Sequence, residues 1–107
     1  MSILNVTNEN FSADVENSAL PVLVDFSAPW CGYCRRLGPT IDAVAAAAEG
    51  KMIVAKIDID EAPQLAERFG IMTIPALILF KDGKHSETLV NPASKSVIDA
   101  WLSQQGV

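Results

Sequence analysis

Cys31 and Cys34 are the only cysteines in a chain of 107 residues, and two residues separate them in the segment Trp30-Cys31-Gly32-Tyr33-Cys34. At that spacing two thiols can close a small disulfide ring and act as one two-electron unit. A turn, Ala28-Pro29-Trp30-Cys31-Gly32, leads here into a helical pattern, which makes the two sulfurs unequal. Cys31 falls at or before the first helical turn, where unpaired N–H groups and the positive end of the dipole favour an anion. It is expected to have a lowered pKa and to be the attacking thiolate. Cys34, one turn further in, is expected to be more buried and to resolve the mixed disulfide that Cys31 forms. Gly32 leaves room for a substrate backbone to approach the sulfurs. An inert buried pair and half of a zinc site are the alternatives. Zinc usually takes four ligands, and His85, after a turn far along the chain, is the one strong additional donor.

The elements that must position this pair alternate between strand and helix periodicities, the pattern of an α/β fold with a mixed sheet and helices on both faces. Ile3 to Val6 reads as a first strand, followed by a helix with Thr7 as its cap and Phe11 and Val15 on one face. The apolar run Val22 to Phe26 suits a central strand buried on both sides, and Asp25 interrupts it. Ile41, Val44, Ala45 and Ala48 continue the helix that begins at the cysteines; Pro39 falls inside it and Gly50 ends it. Met52 to Asp58 is a further buried strand. Asp60 is placed to cap a short helix carrying Leu65, Ala66 and Phe69, closed by Gly70. Ala76 to Phe80 is another buried strand. Lys81-Asp82-Gly83-Lys84 reads as a tight hairpin turn, with His85 to Val90 as the returning strand. Ser94 caps a last helix that packs Val97, Ile98, Trp101 and Leu102. There are no repeats or linkers, so one domain over residues 1–107 is expected.

Composition narrows the function. Half of the residues are apolar, a fifth are charged, and the formal net charge is −5 with the cations scattered. Phosphate binding needs a concentrated basic surface, so nucleic acid is not an expected partner. No basic amphipathic stretch invites a membrane, and no apolar run approaches a spanning length. The start, Met1 to Thr7, lacks the charged and apolar regions of a signal peptide, which points to the cytoplasm; a mature form after signal removal would read the same way. A monomer is expected.

Four segments, in order and at their spacing, carry a family resemblance over essentially the whole chain: Val24-Asp25-Phe26-Ser27-Ala28-Pro29-Trp30-Cys31-Gly32-Tyr33-Cys34, then Ala55-Lys56-Ile57-Asp58, Ile74-Pro75 and Lys81-Asp82-Gly83. The chain resembles a thioredoxin. The resemblance implies the thioredoxin fold and reduction of protein disulfides by dithiol–disulfide exchange. No bound cofactor is implied, and electrons come from an external reductase of the thioredoxin-reductase kind. It also makes Asp25 the buried acid that takes a proton from the resolving cysteine, with Lys56 nearby to tune it. An unpaired carboxylate in a buried strand is expected to have a raised pKa in any case. Pro75 matches a cis-proline lying against the pair, which would leave the backbone of Ile74 open to an extended substrate. Trp30, Gly32, Tyr33, Thr73, Ile74 and Asn91 become the substrate-binding positions.

Three positions depart from the family pattern. Tyr33 stands where proline is common, restoring a backbone donor between the cysteines, and a somewhat more oxidising potential is expected. Ser27 replaces a common tryptophan and trims the apolar surface. Asn91-Pro92 replaces a loop glycine, and the residue before proline is expected to be extended there. Rival readings are the same fold run as an oxidant or isomerase, and a binding or chaperone module in which the cysteines are incidental.

Overall fold

A computed structural model describes residues 3–107. Six strands form one sheet: β1 (Leu4–Val6), β2 (Val22–Ser27), β3 (Ile53–Asp58), β4 (Ala76–Lys81), β5 (Lys84–His85) and β6 (Leu89–Val90). β3 lies between β1 and β2, and these three are parallel. β4 joins the other side of β2 in the antiparallel sense, and β5 and β6 both pair with β4. Among the described residues three α-helices flank the sheet: α1 (Gly32–Ala47), α2 (Pro63–Arg68) and α3 (Lys95–Gln104). The thioredoxin fold expected from sequence is therefore the fold found.

Alternation along β2 divides the core in two. Val22, Val24 and Phe26 face a cluster with Phe11, Val15, Ile57, Leu65 and Ile78. Leu23 faces the other way, onto a cluster with Leu37, Ile41 and Val44 of α1 and Ile98 and Leu102 of α3. Every residue of β2 is buried, as an almost continuous apolar strand between two helical layers requires. Asp25 is two residues beyond Leu23 and so lies on the α1 side, toward the end of the sheet where α1 begins. Lys56 is two residues beyond Val54 of that same cluster, and Asp25 and Lys56 are partners in the β2–β3 register.

The hairpin turn follows its residues closely. Asp82 and Gly83 both have positive φ, 55° and 76°, as a type I′ turn requires. Ser94 accepts the Val97 N–H at 3.3 Å and starts α3. Gly70, φ 66°, ends α2 while the Ile71 N–H returns to Ala66 O at 2.8 Å.

Several local expectations are corrected. Thr7 makes no side-chain cap bond: its carbonyl accepts the Phe11 N–H at 3.1 Å, while Asn10 Oδ1 accepts its N–H at 2.7 Å and Asn10 Nδ2 donates to Asn5 O, so a bonded turn over Thr7–Phe11 leads into the helical segment. The helical segment after it shrinks to one wide π-type turn, Ser12–Glu16, with Asn17 N–H bonded to Ser12 O, although Phe11 and Val15 are both buried as expected. Asp60 does not cap α2 either. Pro63 opens that helix and lacks the N–H a cap would serve, and Asp60 is engaged elsewhere. The return strand is split into β5 and β6, because the Ser86 hydroxyl takes the Leu79 N–H at 2.9 Å in place of a main-chain carbonyl. Val97 is exposed; the buried stripe of α3 is carried by Ile98 and Leu102, with Trp101 half-buried.

Candidate active site

The polypeptide leaves β2 at Ser27, at the carboxyl end of a parallel strand, and turns over Ala28–Trp30 before entering α1. The Cys31 N–H bonds to Ala28 O at 3.1 Å, which tightens this turn. Cys31 itself is the N-cap of α1 in extended conformation, φ −89° and ψ 110°. Its Sγ occupies the place a serine or aspartate oxygen takes at other helix starts, accepting the Cys34 N–H at 3.1 Å. That donor and the first helical turn favour negative charge on this sulfur rather than on the one inside the helix. Cys31 and Cys34 are joined by a disulfide, with their Cα atoms 5.2 Å apart. Both residues are almost fully buried and pack with Ala28, Ile59 and Ile74.

Ile74 comes from the far side of the sequence. The Ile74–Pro75 peptide is cis, and Ile74 O lies 3.9 Å from Cys31 Sγ. Pro75 is fully buried, and its carbonyl accepts the Asn91 N–H at 2.8 Å. Asn91 therefore joins the site through Pro75. Its φ is 43°, left-handed rather than the extended backbone expected before Pro92. Asparagine is among the few non-glycine residues that tolerate this conformation, and the bond to Pro75 holds it there. Thr73 is exposed and enters only as the neighbour of Ile74.

Around the nearly hidden sulfurs the rim is strongly exposed. Trp30 is 64 % exposed and Tyr33 58 %. A side chain at Gly32 would meet only the Arg35 guanidinium, 3.8 Å away, so its absence leaves that approach bare. Trp30 is fixed by a hydrogen bond from its Nε1 to Asp60 Oδ2 at 2.9 Å. This role of Asp60 was missed by the sequence reading, which gave it to α2. Met72 was missed as well: at 95 % exposure it stands in the loop just before Thr73 and Ile74. An exposed thioether three residues before the proline carries no periodic signal that could have marked it.

Asp25 lies beneath the start of α1. It is buried, its Oδ1 has no hydrogen-bond partner, and burial pushes its pKa up to about 7 against a smaller opposing pull from Lys56. Lys56 is half-buried, and with Ser27, Cys34 and Asp58 it lines a cleft open to solvent. Asp25's register partner thus lines the same open cleft as Cys34. Among the described residues no cluster of three or more His, Cys, Asp or Glu is placed to hold a metal ion.

The family model for thioredoxin matches residues 2–104. The chain belongs to the thioredoxin family. It is 42 % identical over 104 residues to a thioredoxin of Porphyra purpurea, covering 97 % of both chains. Thioredoxin 1 of Nostoc sp. is 42 % identical over 99 residues, 92 % of each chain. A Pseudomonas aeruginosa thioredoxin is 44 % identical over 100 residues, 94 % of this chain and 93 % of its own. Thioredoxins are thiol–disulfide oxidoreductases, and this member, with its cysteine pair closed into a disulfide, is a protein-disulfide reductase. A thioredoxin carries its redox group within the chain and needs no bound cofactor; its substrates are disulfide-bearing proteins and its electrons come from a reductase. Among the described residues no helix is long and apolar enough to cross a membrane.

Proposed function

We propose that residues 1–107 act as one monomeric cytoplasmic domain that reduces protein disulfides with the labour divided by depth. Cys31 attacks, Cys34 resolves, and Asp25 handles the proton. The observation that supports this most is the asymmetry of the pair: Cys31 Sγ caps α1 and receives the Cys34 N–H, whereas Cys34 lies inside the first turn.

In the reduced protein the Cys31 thiolate attacks one sulfur of the substrate disulfide, forming a mixed disulfide and releasing the other substrate sulfur as a thiolate, which takes up a proton. Cys34 then loses its proton and attacks Cys31 Sγ. The Cys31–Cys34 disulfide forms, and the second substrate sulfur leaves and is protonated. Two electrons and two protons pass to the substrate. Asp25 is the acceptor for the Cys34 proton through water in the cleft lined by Cys34 and Lys56. A carboxylate with its pKa near 7 is well matched to that task at neutral pH. Lys56 tunes Asp25 by its charge. Pro75 holds Ile74 so that its main chain can pair with an extended substrate, and Trp30, Gly32, Tyr33, Thr73 and Asn91 form the rest of the binding surface. Neither nucleic acid nor membrane takes part.

The order of the two thiols is tested by trapping. Reduced Cys34→Ser protein mixed with a disulfide-bonded substrate should accumulate a covalent complex through Cys31, visible by mass and released by dithiol. Reduced Cys31→Ser protein should accumulate little or none. Equal trapping by both variants, or preferential trapping through Cys34, would overturn the assignment.

A further inference from the structure

A groove that Trp30 does not line is formed by Tyr33, Arg36, Leu37, Thr40, Asn91 and Pro92. Tyr33 sits between the two cysteines in sequence, and Asn91 is tied to Pro75, so the groove joins the cysteine turn to the cis-proline loop. Its one cation is Arg36. The guanidinium carbon lies 5.2 Å from the centroid of the Tyr33 ring. Neighbouring cations are otherwise engaged: Arg35 donates to Pro29 O, Lys95 pairs with Asp99, and Lys56 is the register partner of Asp25. Among the described residues no carboxylate lies within ion-pair reach of Arg36; the two ion pairs found are Arg68–Glu16 and Lys95–Asp99. The positions one helical turn away on either side include Tyr33 and Thr40, and the one acid of α1, Asp42, lies six residues on and makes no ion pair with Arg36. Trp30, by contrast, is bonded to an acid, Asp60, with Glu61 next to it in sequence.

We propose that Arg36, held against Tyr33, is a specificity-determining residue that selects disulfide substrates carrying an aspartate or glutamate beside the reacting cysteine, with that carboxylate seated in the Tyr33–Asn91 groove. A guanidinium stacked on an aromatic ring keeps its planar donors ordered, so less freedom is lost when a carboxylate accepts two of them. The chain's overall charge of −5 works against acidic partners at long range. The groove is where that repulsion is locally reversed. The inference rests on the reductase reading, because it concerns the choice among substrates of that reaction.

The test uses reduced full-length protein and disulfide peptides identical except for Glu, Gln or Lys beside the reacting cysteine, placed in turn on its amino and carboxyl sides. Second-order rate constants are read at low and high salt. For one of the two placements the Glu peptide should react about threefold faster than the Gln peptide at low salt, the size expected of an exposed ion pair. The Lys peptide should be slowest. The Glu/Gln ratio should fall toward one at high salt and in Arg36→Gln, and Arg36→Glu should prefer the Lys peptide. Arg36→Lys should keep part of the preference. Equal rates for Glu and Gln peptides in both placements, or a ratio that survives Arg36→Gln, overturn the inference while leaving the reductase reading intact. Failure to reduce any peptide, whatever its charge, overturns both.

Discussion

Cys31→Ser should slow reduction of a protein disulfide by at least about a thousandfold, roughly 4 kcal/mol of transition-state stabilisation. The variant loses the only sulfur that combines a helix-capping position with an approach from the exposed rim of Trp30 and Tyr33. A hydroxyl in its place is not ionised near neutral pH and cannot form the mixed disulfide. Cys34→Ser should differ in kind. Its first step should proceed and its turnover should stop, because nothing remains to release the substrate. Single-turnover kinetics beside steady-state kinetics separate the two. A Cys31→Ser protein that retained even a tenth of wild-type activity would return the binding or chaperone module to consideration.

The second large effect concerns stability and is set by Asp25. Its folded-state pKa of about 7 stands well above the value of 3.8 for an ordinary aspartate, with desolvation as the main cause. Between those two values the folded protein holds a proton that the unfolded chain has lost. Stability must then fall as pH rises through this window and level off above it. A shift of this size corresponds to about 4 kcal/mol between roughly pH 4 and pH 8. Asp25→Asn should abolish most of that slope. At pH 8 the variant should be more stable than wild type by about 1–3 kcal/mol, because a buried amide with an unmet hydrogen bond is a smaller burden than a buried charge. Denaturant unfolding of the oxidised proteins at several pH values measures both. A wild-type stability that stayed flat or rose from pH 4 to 8, with Asp25→Asn following the same curve, would contradict the burial argument. The same carboxylate is therefore destabilising at the pH where it is useful, a common feature of groups retained for chemistry.

Much of this architecture was legible because local chemistry and tertiary packing agree. Val22 to Phe26 can be apolar throughout only if both faces are covered, and they are. Asp82-Gly83 demanded a turn with two positive φ angles, and Ser94 a helix start; both are present. The position of Cys31 at a helix cap followed from the turn residues before it. What was illegible depends on partners distant in sequence. Asp60 looked like a cap because it precedes an apolar helix, but its carboxylate is taken by Trp30, thirty residues earlier. The break in the return strand arises from one hydroxyl, Ser86, competing with the ladder. Asn91 was expected to be extended on the strength of Pro92 alone; the carbonyl of Pro75 decides otherwise. The proximity of Ile74 to Cys31 came from the family resemblance, since no periodicity joins residues 43 apart.

Tyr33 is the residue that bears most on the direction in which the pair works. Tyrosine restores an N–H between the cysteines that proline would remove, so a modest shift toward oxidising potentials is expected. For a two-electron couple about 30 mV corresponds to 1.4 kcal/mol, so even one altered hydrogen bond to the thiolate is measurable. The most direct test is the equilibrium reduction potential of Cys31–Cys34 in defined dithiol/disulfide buffers, with Trp30 fluorescence as the readout. A protein-disulfide reductase predicts a value close to about −270 mV, displaced by no more than about 30 mV toward oxidising potentials. A value near −200 mV or above, approaching the roughly −180 to −120 mV of isomerases and oxidants, would mark the pair as an oxidant or isomerase instead.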